Sequence, residues 1–167
     1  IKTSFAHRQS MFTLLEQLLS KKAEYNRHTN IAEALHKIAE CVHKRSLIII
    51  FTDLMNLVDN TNGFTNALQH LRYNKHEVIL FHVCDKDKEI ELNFDNSPRR
   101  FIDMETGEQI KATPLQLKEH YSQKMQELVT QIKTQCNNLQ TDFVQADINK
   151  GFDQVLLPYL LKRSRLK

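Results

Sequence analysis

An acidic side chain that ends an apolar run is the first place to look for chemistry. In "SLIIIFTDLMN", Ser46 to Asn56, five consecutive large apolar residues lead into Thr52 and Asp53. A run this short and this β-branched reads as a central parallel strand covered on both faces. In open α/β sheets ligands bind outside the carboxyl ends of the strands, where this pattern puts Asp53. The same carboxylate has a structural use, because it can accept backbone N–H bonds and cap the turn that follows. Both readings stand at this level.

The other groups that could do chemistry are scattered. The histidines are His7, His28, His36, His43, His70, His76, His82 and His120, and none lies in an H-E-x-x-H or Cys-x-x-Cys context. Cys41 and His43 are two apart, so on a helix they point in different directions. "DKDKE", Asp85 to Glu89, begins like a calcium loop, but Ile90 stands where the loop needs glycine, which leaves a charged turn. His82, near the end of "EVILFHV", is placed either to pair with Asp53 across neighbouring strands or to sit buried and hydrogen-bonded, and the buried role is the expectation. No G-x-x-x-x-G-K-[ST], G-x-G-x-x-G or G-x-S-x-G occurs, and only three glycines are present, so phosphate-cradling loops are excluded. No serine or cysteine stands at an obvious elbow. A catalytic role is not expected.

Bulk properties narrow the class further. The chain has 167 residues, which suits one domain, and 41% apolar with 26% charged residues is ordinary for a globular protein. A net charge of +3, much of it in the terminal "KRSRLK", is too small to imply nucleic acid. Cys41, Cys84 and Cys136 are odd in number and lie in apolar-patterned segments, which reads as buried, reduced thiols in a cytoplasmic setting. No stretch approaches the length needed to cross a bilayer, and no signal-peptide pattern occurs.

Helices and strands alternate along the chain. "SFAHRQSMFTLLEQLLS" spaces Met11, Leu14, Leu15, Leu18 and Leu19 on one helical face. Thr29 or Asn30 caps a second helix, with Glu33 at capping-box spacing from Asn30 and Ile31, Leu35, Ile38 and Val42 as its buried stripe. After the Leu47–Phe51 strand comes a loop. A helix marked by Phe64, Ala67, Leu68 and Leu71 then ends near Asn74, and Glu77 to Val83 is a second apolar strand, which makes a βαβ unit. "KEIELNF", "RRFIDM" and "EQIKA" read as short strands of an antiparallel insertion, residues 89–112, turning at "ETGE" with Gly107 free to take positive φ. Thr113, Pro114 and Gln116 open a long helix whose inward stripe is Leu117, Tyr121, Leu128, Ile132 and Cys136. "TDFVQA" is a third strand, and Phe152 to Lys162 a last helix that Pro158 kinks or breaks. The expected fold class is an α/β three-layer sandwich.

Four stretches then carry a resemblance. "RSLIIIFTDL", "ALQHLRYNKHEVILFHVCD", "RRFIDMETGEQI" and "HYSQKMQELVTQIKTQC" follow in an order similar to the bacterial domain of unknown function 58, over nearly the whole chain. The resemblance implies a von Willebrand factor A-like fold, a doubly wound, mostly parallel sheet, and an association with MoxR-type AAA+ ATPases. Domains of that type often hold Mg²⁺ at the top of the sheet through an Asp-x-Ser-x-Ser loop, a Thr from a second loop and a late Asp. Here Asp53 matches the late Asp and Thr29, in "HTNIAEAL", the Thr.

The departure from that pattern is large. No Asp-x-Ser-x-Ser exists, and the nearest string is Asp95-Asn96-Ser97-Pro98-Arg99. The resemblance implies that the first strand, its motif, the first helix and the second strand precede Ile1, so residues 1–167 read as one partial domain, truncated at the amino end. Thr29 and Asp53 would then hold metal only if completed by upstream residues: no cofactor is expected in this chain, and Mg²⁺ belongs to the intact domain. The Leu47–Phe51 strand would keep an open apolar edge, a template for a homodimer or for the amino-terminal segment folding back. The expected function is a protein-interaction module that docks a MoxR-type ATPase or its client, with no nucleic acid and no membrane in this segment. The alternative is an α/β hydrolase or phosphotransfer-type enzyme using Asp53 as nucleophile or metal ligand.

Overall fold

Strand β1, Leu47–Thr52, forms where the β-branched run begins, and its partner β2, Glu77–Cys84, lies parallel to it in register from Leu47 opposite Glu77 to Thr52 opposite His82. A computed structural model describes residues 5–20, 30–58, 60–102 and 107–164. A third strand, β5 (Asp142–Asp147), pairs parallel with the other side of β2, giving the order β1-β2-β5. The chain is mixed α/β, with this three-stranded parallel sheet and a separate two-stranded sheet of β3 (Arg99–Ile102) and β4 (Gln109–Ala112). It divides into two compact units, one of residues 1–28 and 102–109, the other of 29–101 and 110–167.

In the larger unit, two helices begin on an asparagine side chain that takes a free N–H. Helix α2, Ile31–Cys41, is capped by Asn30, whose Oδ1 accepts the Glu33 N–H at 3.2 Å. Helix α3, Thr61–Tyr73, is capped by Asn60, whose Oδ1 accepts the Gly63 N–H at 3.0 Å. Glycine leaves room for this cap: a Cβ at position 63 would meet that oxygen at 2.5 Å and push the Asn60 side chain aside. Helix α4, Pro114–Asn138, starts on Pro114 without a side-chain cap from Thr113, so the expected capping box is not formed. Helix α5, Asp153–Ser164, runs through Pro158 rather than breaking there.

The core lies on one face of the sheet. Ile48 and Ile50 of β1 and Val78 and Leu80 of β2 meet Leu35 of α2, Leu68 of α3 and Ile132 of α4 in a single apolar cluster. Met125, which the α4 stripe read from the sequence omitted, belongs to it, whereas Leu117 is exposed. On the opposite face Ile49, Phe51, Ile79, Phe81 and Val83 look toward Phe152, Val155, Leu156 and Tyr159, with a cavity of about 550 Å³ between them.

β1 is therefore not the central, doubly covered strand that its composition suggests. It is the edge of the sheet among the described residues, with Ile48 and Ile50 buried while Phe51 remains 69% exposed and stacks on Phe81 at 5.2 Å. Apolar character on both sides of a strand states what the strand can bury, and what covers it is set elsewhere. The expected strand at "KEIELNF" is also replaced. Asp85 accepts the Lys88 N–H at 3.1 Å and the Glu91 N–H reaches Lys86 O at 3.0 Å, so Lys86–Ile90 winds into one π-helical turn. A short acidic side chain offers the backbone a local partner that competes with a ladder.

In the smaller unit, α1 (Phe5–Ser20) is the helix that the apolar spacing indicates, and Met11, Leu14, Leu15, Leu18 and Leu19 are exposed along it.

Candidate functional site

All three parallel strands deliver an aspartate at their carboxyl ends: Asp53 follows β1, Asp85 follows β2 and Asp147 closes β5. The turn after β1 is built by its first two polar side chains. Thr52 Oγ1 accepts the Leu54 N–H at 3.1 Å, and Asp53 Oδ1 accepts the Met55 N–H at 3.1 Å. These bonds fold the chain so sharply that Leu54 takes a φ of 64° while its side chain is fully buried. Asp53 itself stays exposed, so the capping role and the rim position are both realised in one residue.

Asp85 and Asp147 are joined rather than free. Asn149 donates from Nδ2 to Asp85 Oδ1 at 2.8 Å and from its backbone N–H to Asp147 Oδ1 at 3.1 Å. Asp85 is almost fully buried and also faces Lys88 Nζ at 3.9 Å. Asp147 and Asn149 were not singled out from the sequence. The signal that could have found them is the repetition of an acidic residue after each apolar run.

His82 sits directly beneath this rim, opposite Thr52 in the β1–β2 register, fully buried beside the Phe143 ring at 6.2 Å. Neither ring nitrogen has a hydrogen-bond partner among the described residues. Burial pushes the imidazole below its ordinary value, and the negative charge of Asp53 opposes that without overcoming it. His82 is thus neither hydrogen-bonded to the Asp53 carboxylate nor a satisfied core histidine. It is a neutral ring held by packing.

Cys84 is the thiol nearest the rim. Burial raises it first, the Gln145 amide 3.9 Å from its sulfur lowers it, and the charges of Glu89, Asp147 and Asp85 raise it again. A thiol held up in this way is a poor nucleophile. Cys136 is buried and pushed up to about 12, whereas Cys41 is exposed, contrary to the reading of all three as buried. Cys41 falls on the outer side of the last turn of α2, away from the Ala32–Leu35–Ala39 face.

The remaining site residues read from the sequence are not brought together. Thr29 lies outside the described residues, as do Glu105 and Thr106 of the "ETGE" turn, while Gly107 has the positive φ expected of it, 75°. Asp95 is closed by its neighbours, accepting from Arg99 Nε at 2.9 Å and from Ser97 Oγ at 3.0 Å, and the Arg99 bond holds its carboxyl below the usual range. No group of three or more His, Cys, Asp or Glu that could hold a metal ion occurs among the described residues. Mg²⁺ demands near-octahedral oxygen coordination, so Asp53 with one oxygen engaged in a turn does not fit it alone. What the rim offers is one exposed carboxylate over a buried polar layer, suited to a cationic group brought by another molecule. No helix among the described residues is long and apolar enough to cross a membrane.

The sequence model of one protein family, described as "Protein of unknown function DUF58", matches residues 3–131. No curated protein and no solved structure matches the chain.

Proposed function

Because the chain belongs to the DUF58 family, we propose that the carboxyl-end rim of its sheet is a protein-docking surface of the von Willebrand A type. The fold in this reading is a doubly wound, three-layer sandwich. It draws support from parallel strands with α2, α3 and α4 against one face and α5 residues facing the other. The partner is a MoxR-type AAA+ ATPase or its client, and this identity rests on the resemblance carried by "RSLIIIFTDL" and "ALQHLRYNKHEVILFHVCD".

The observation that carries the proposal is the placement of Asp53, an exposed carboxylate at the carboxyl end of β1, where open α/β sheets bind their ligands. It recognises a lysine or arginine of the partner.

The test uses Asp53→Asn, whose amide oxygen still accepts the Met55 N–H while the charge is gone. With immobilised chain and purified MoxR-type ATPase, Asp53→Asn is expected to weaken binding by about tenfold to a hundredfold, the worth of one charged hydrogen bond. Equal binding of both proteins removes Asp53 from the interface, and no binding by the wild type withdraws the ATPase. Turnover of a phosphate or carboxylate ester that Asp53→Asn abolishes would replace docking with catalysis.

A further inference from the structure

Where α2 and α3 pack, two histidines from different helices meet. His36 of α2 and His70 of α3 are half-buried where those helices pack, and their Nδ1 atoms lie 3.0 Å apart with the rings tilted by 42°. One proton can serve such a contact, donated by one Nδ1 to the lone pair of the other. We propose that this pair is a two-histidine chelate for a late first-row divalent transition cation, which takes both Nδ1 lone pairs and clips α2 to α3, the donor ring staying neutral by exchanging its Nδ1 proton for one on Nε2 through solvent.

Metal–nitrogen bonds to imidazole are about 2.0–2.1 Å. Two nitrogens 3.0 Å apart therefore subtend roughly 90° at a common metal. That is the cis angle of a square-planar or tetragonal site, the geometry of Ni²⁺ and Cu²⁺. A tetrahedral angle needs a separation of roughly 3.3 Å, so Zn²⁺ requires a small spreading of the helices.

In the hydrogen-bonded state the N–H of one ring points along the line of nitrogens at the lone pair of the other, and each ring must swing by roughly 45° for both lone pairs to converge on a metal. The second side-chain torsion of histidine is broad enough to supply that turn. No third His, Cys, Asp or Glu joins the pair among the described residues. Water fills the other positions, and affinity comes from the two rings acting together. The helices are held independently, by Asn74 Nδ2 donating to Ala39 O at 2.9 Å and by the buried Leu35, Leu68 and Leu71. The chelate is thus an addition to a formed interface.

The test titrates Ni²⁺ into the full chain and into His36→Gln, His70→Gln and the double variant, followed by calorimetry. One site is expected in the wild type, weakened about a hundredfold in either single variant, since bidentate attachment exceeds a single contact by that order. The double variant, left without even a single contact, should show no saturable binding at this site. Wild-type affinity retained in either single variant overturns the chelate. Should a variant fail to fold, imidazole ¹⁵N resonances of the wild type titrated with Zn²⁺ decide. Joint displacement of the His36 and His70 Nδ1 signals is expected, and displacement of one or neither rejects the site.

Discussion

Asp53 closes the turn with one oxygen, and its proposed docking role rests on its charge, so the two can be separated by choice of substituent. Asp53→Ala removes the acceptor for the Met55 N–H and is expected to cost about 1 kcal/mol in urea denaturation, whereas Asp53→Asn should be close to neutral. A stable Ala variant would show that the turn does not depend on this bond. His82 gives a second test at this scale. Its two buried ring nitrogens have no hydrogen-bond partner among the described residues, so His82→Leu, similar in volume, is expected to stabilise by about 1 kcal/mol. The sign with pH follows from the lowered folded value. The stabilising preference for the neutral ring is complete above the unfolded value of about 6.5 and is lost as pH falls below it, because the unfolded chain takes up a proton that the folded ring refuses. Wild-type stability should therefore drop with acidification through that window, more steeply than His82→Leu. Parallel profiles would mean that His82 is not the group titrating. Among the cysteines, exposed Cys41 should react with a thiol reagent in the native state, while Cys84 and Cys136 should wait for unfolding.

Helix α3 shows how an element can depend on one missing atom. Glycine near a helix start costs about 1 kcal/mol relative to alanine by propensity, yet at position 63 a Cβ would press on the Asn60 oxygen that caps the helix. Gly63→Ala is thus expected to gain nothing in the wild type, because the cap is displaced. The same substitution in an Asn60→Ala background should stabilise by about 1 kcal/mol. Additive effects in this cycle, read from thermal unfolding, would show that the cap and the glycine are independent. Elements with a strong period were legible in the sequence: α2, α3 and α4 and the runs that became β1, β2 and β5 stand where the spacing put them. Residues 86–98 were not, because Asp85 and Glu89 give the backbone local partners, and alternation of polarity cannot weigh those against a ladder.

For the larger unit as a whole, the consequence of the strand order is, among the described residues, an open edge and a half-covered face at β1. Leu47–Thr52 has neither proline nor charge to discourage pairing, and such an edge is a template for a second strand. Concentration-dependent association is expected in sedimentation velocity, with pairing through β1, and Phe51→Lys should reduce it. A wild type that stays monomeric across concentrations would mean that the edge is blocked by other means.

The sequence by itself determined the α/β class, the position of Asp53 at a strand end and the family, because hydrophobic period and strand-terminal charge are local properties of the chain. Tertiary structure alone decided that Phe51 is left exposed, that Cys41 is exposed, that Asn149 ties Asp85 to Asp147 and that His36 meets His70. Each of these depends on which surfaces face one another across long stretches of chain, and residue spacing carries no information about an element's partner.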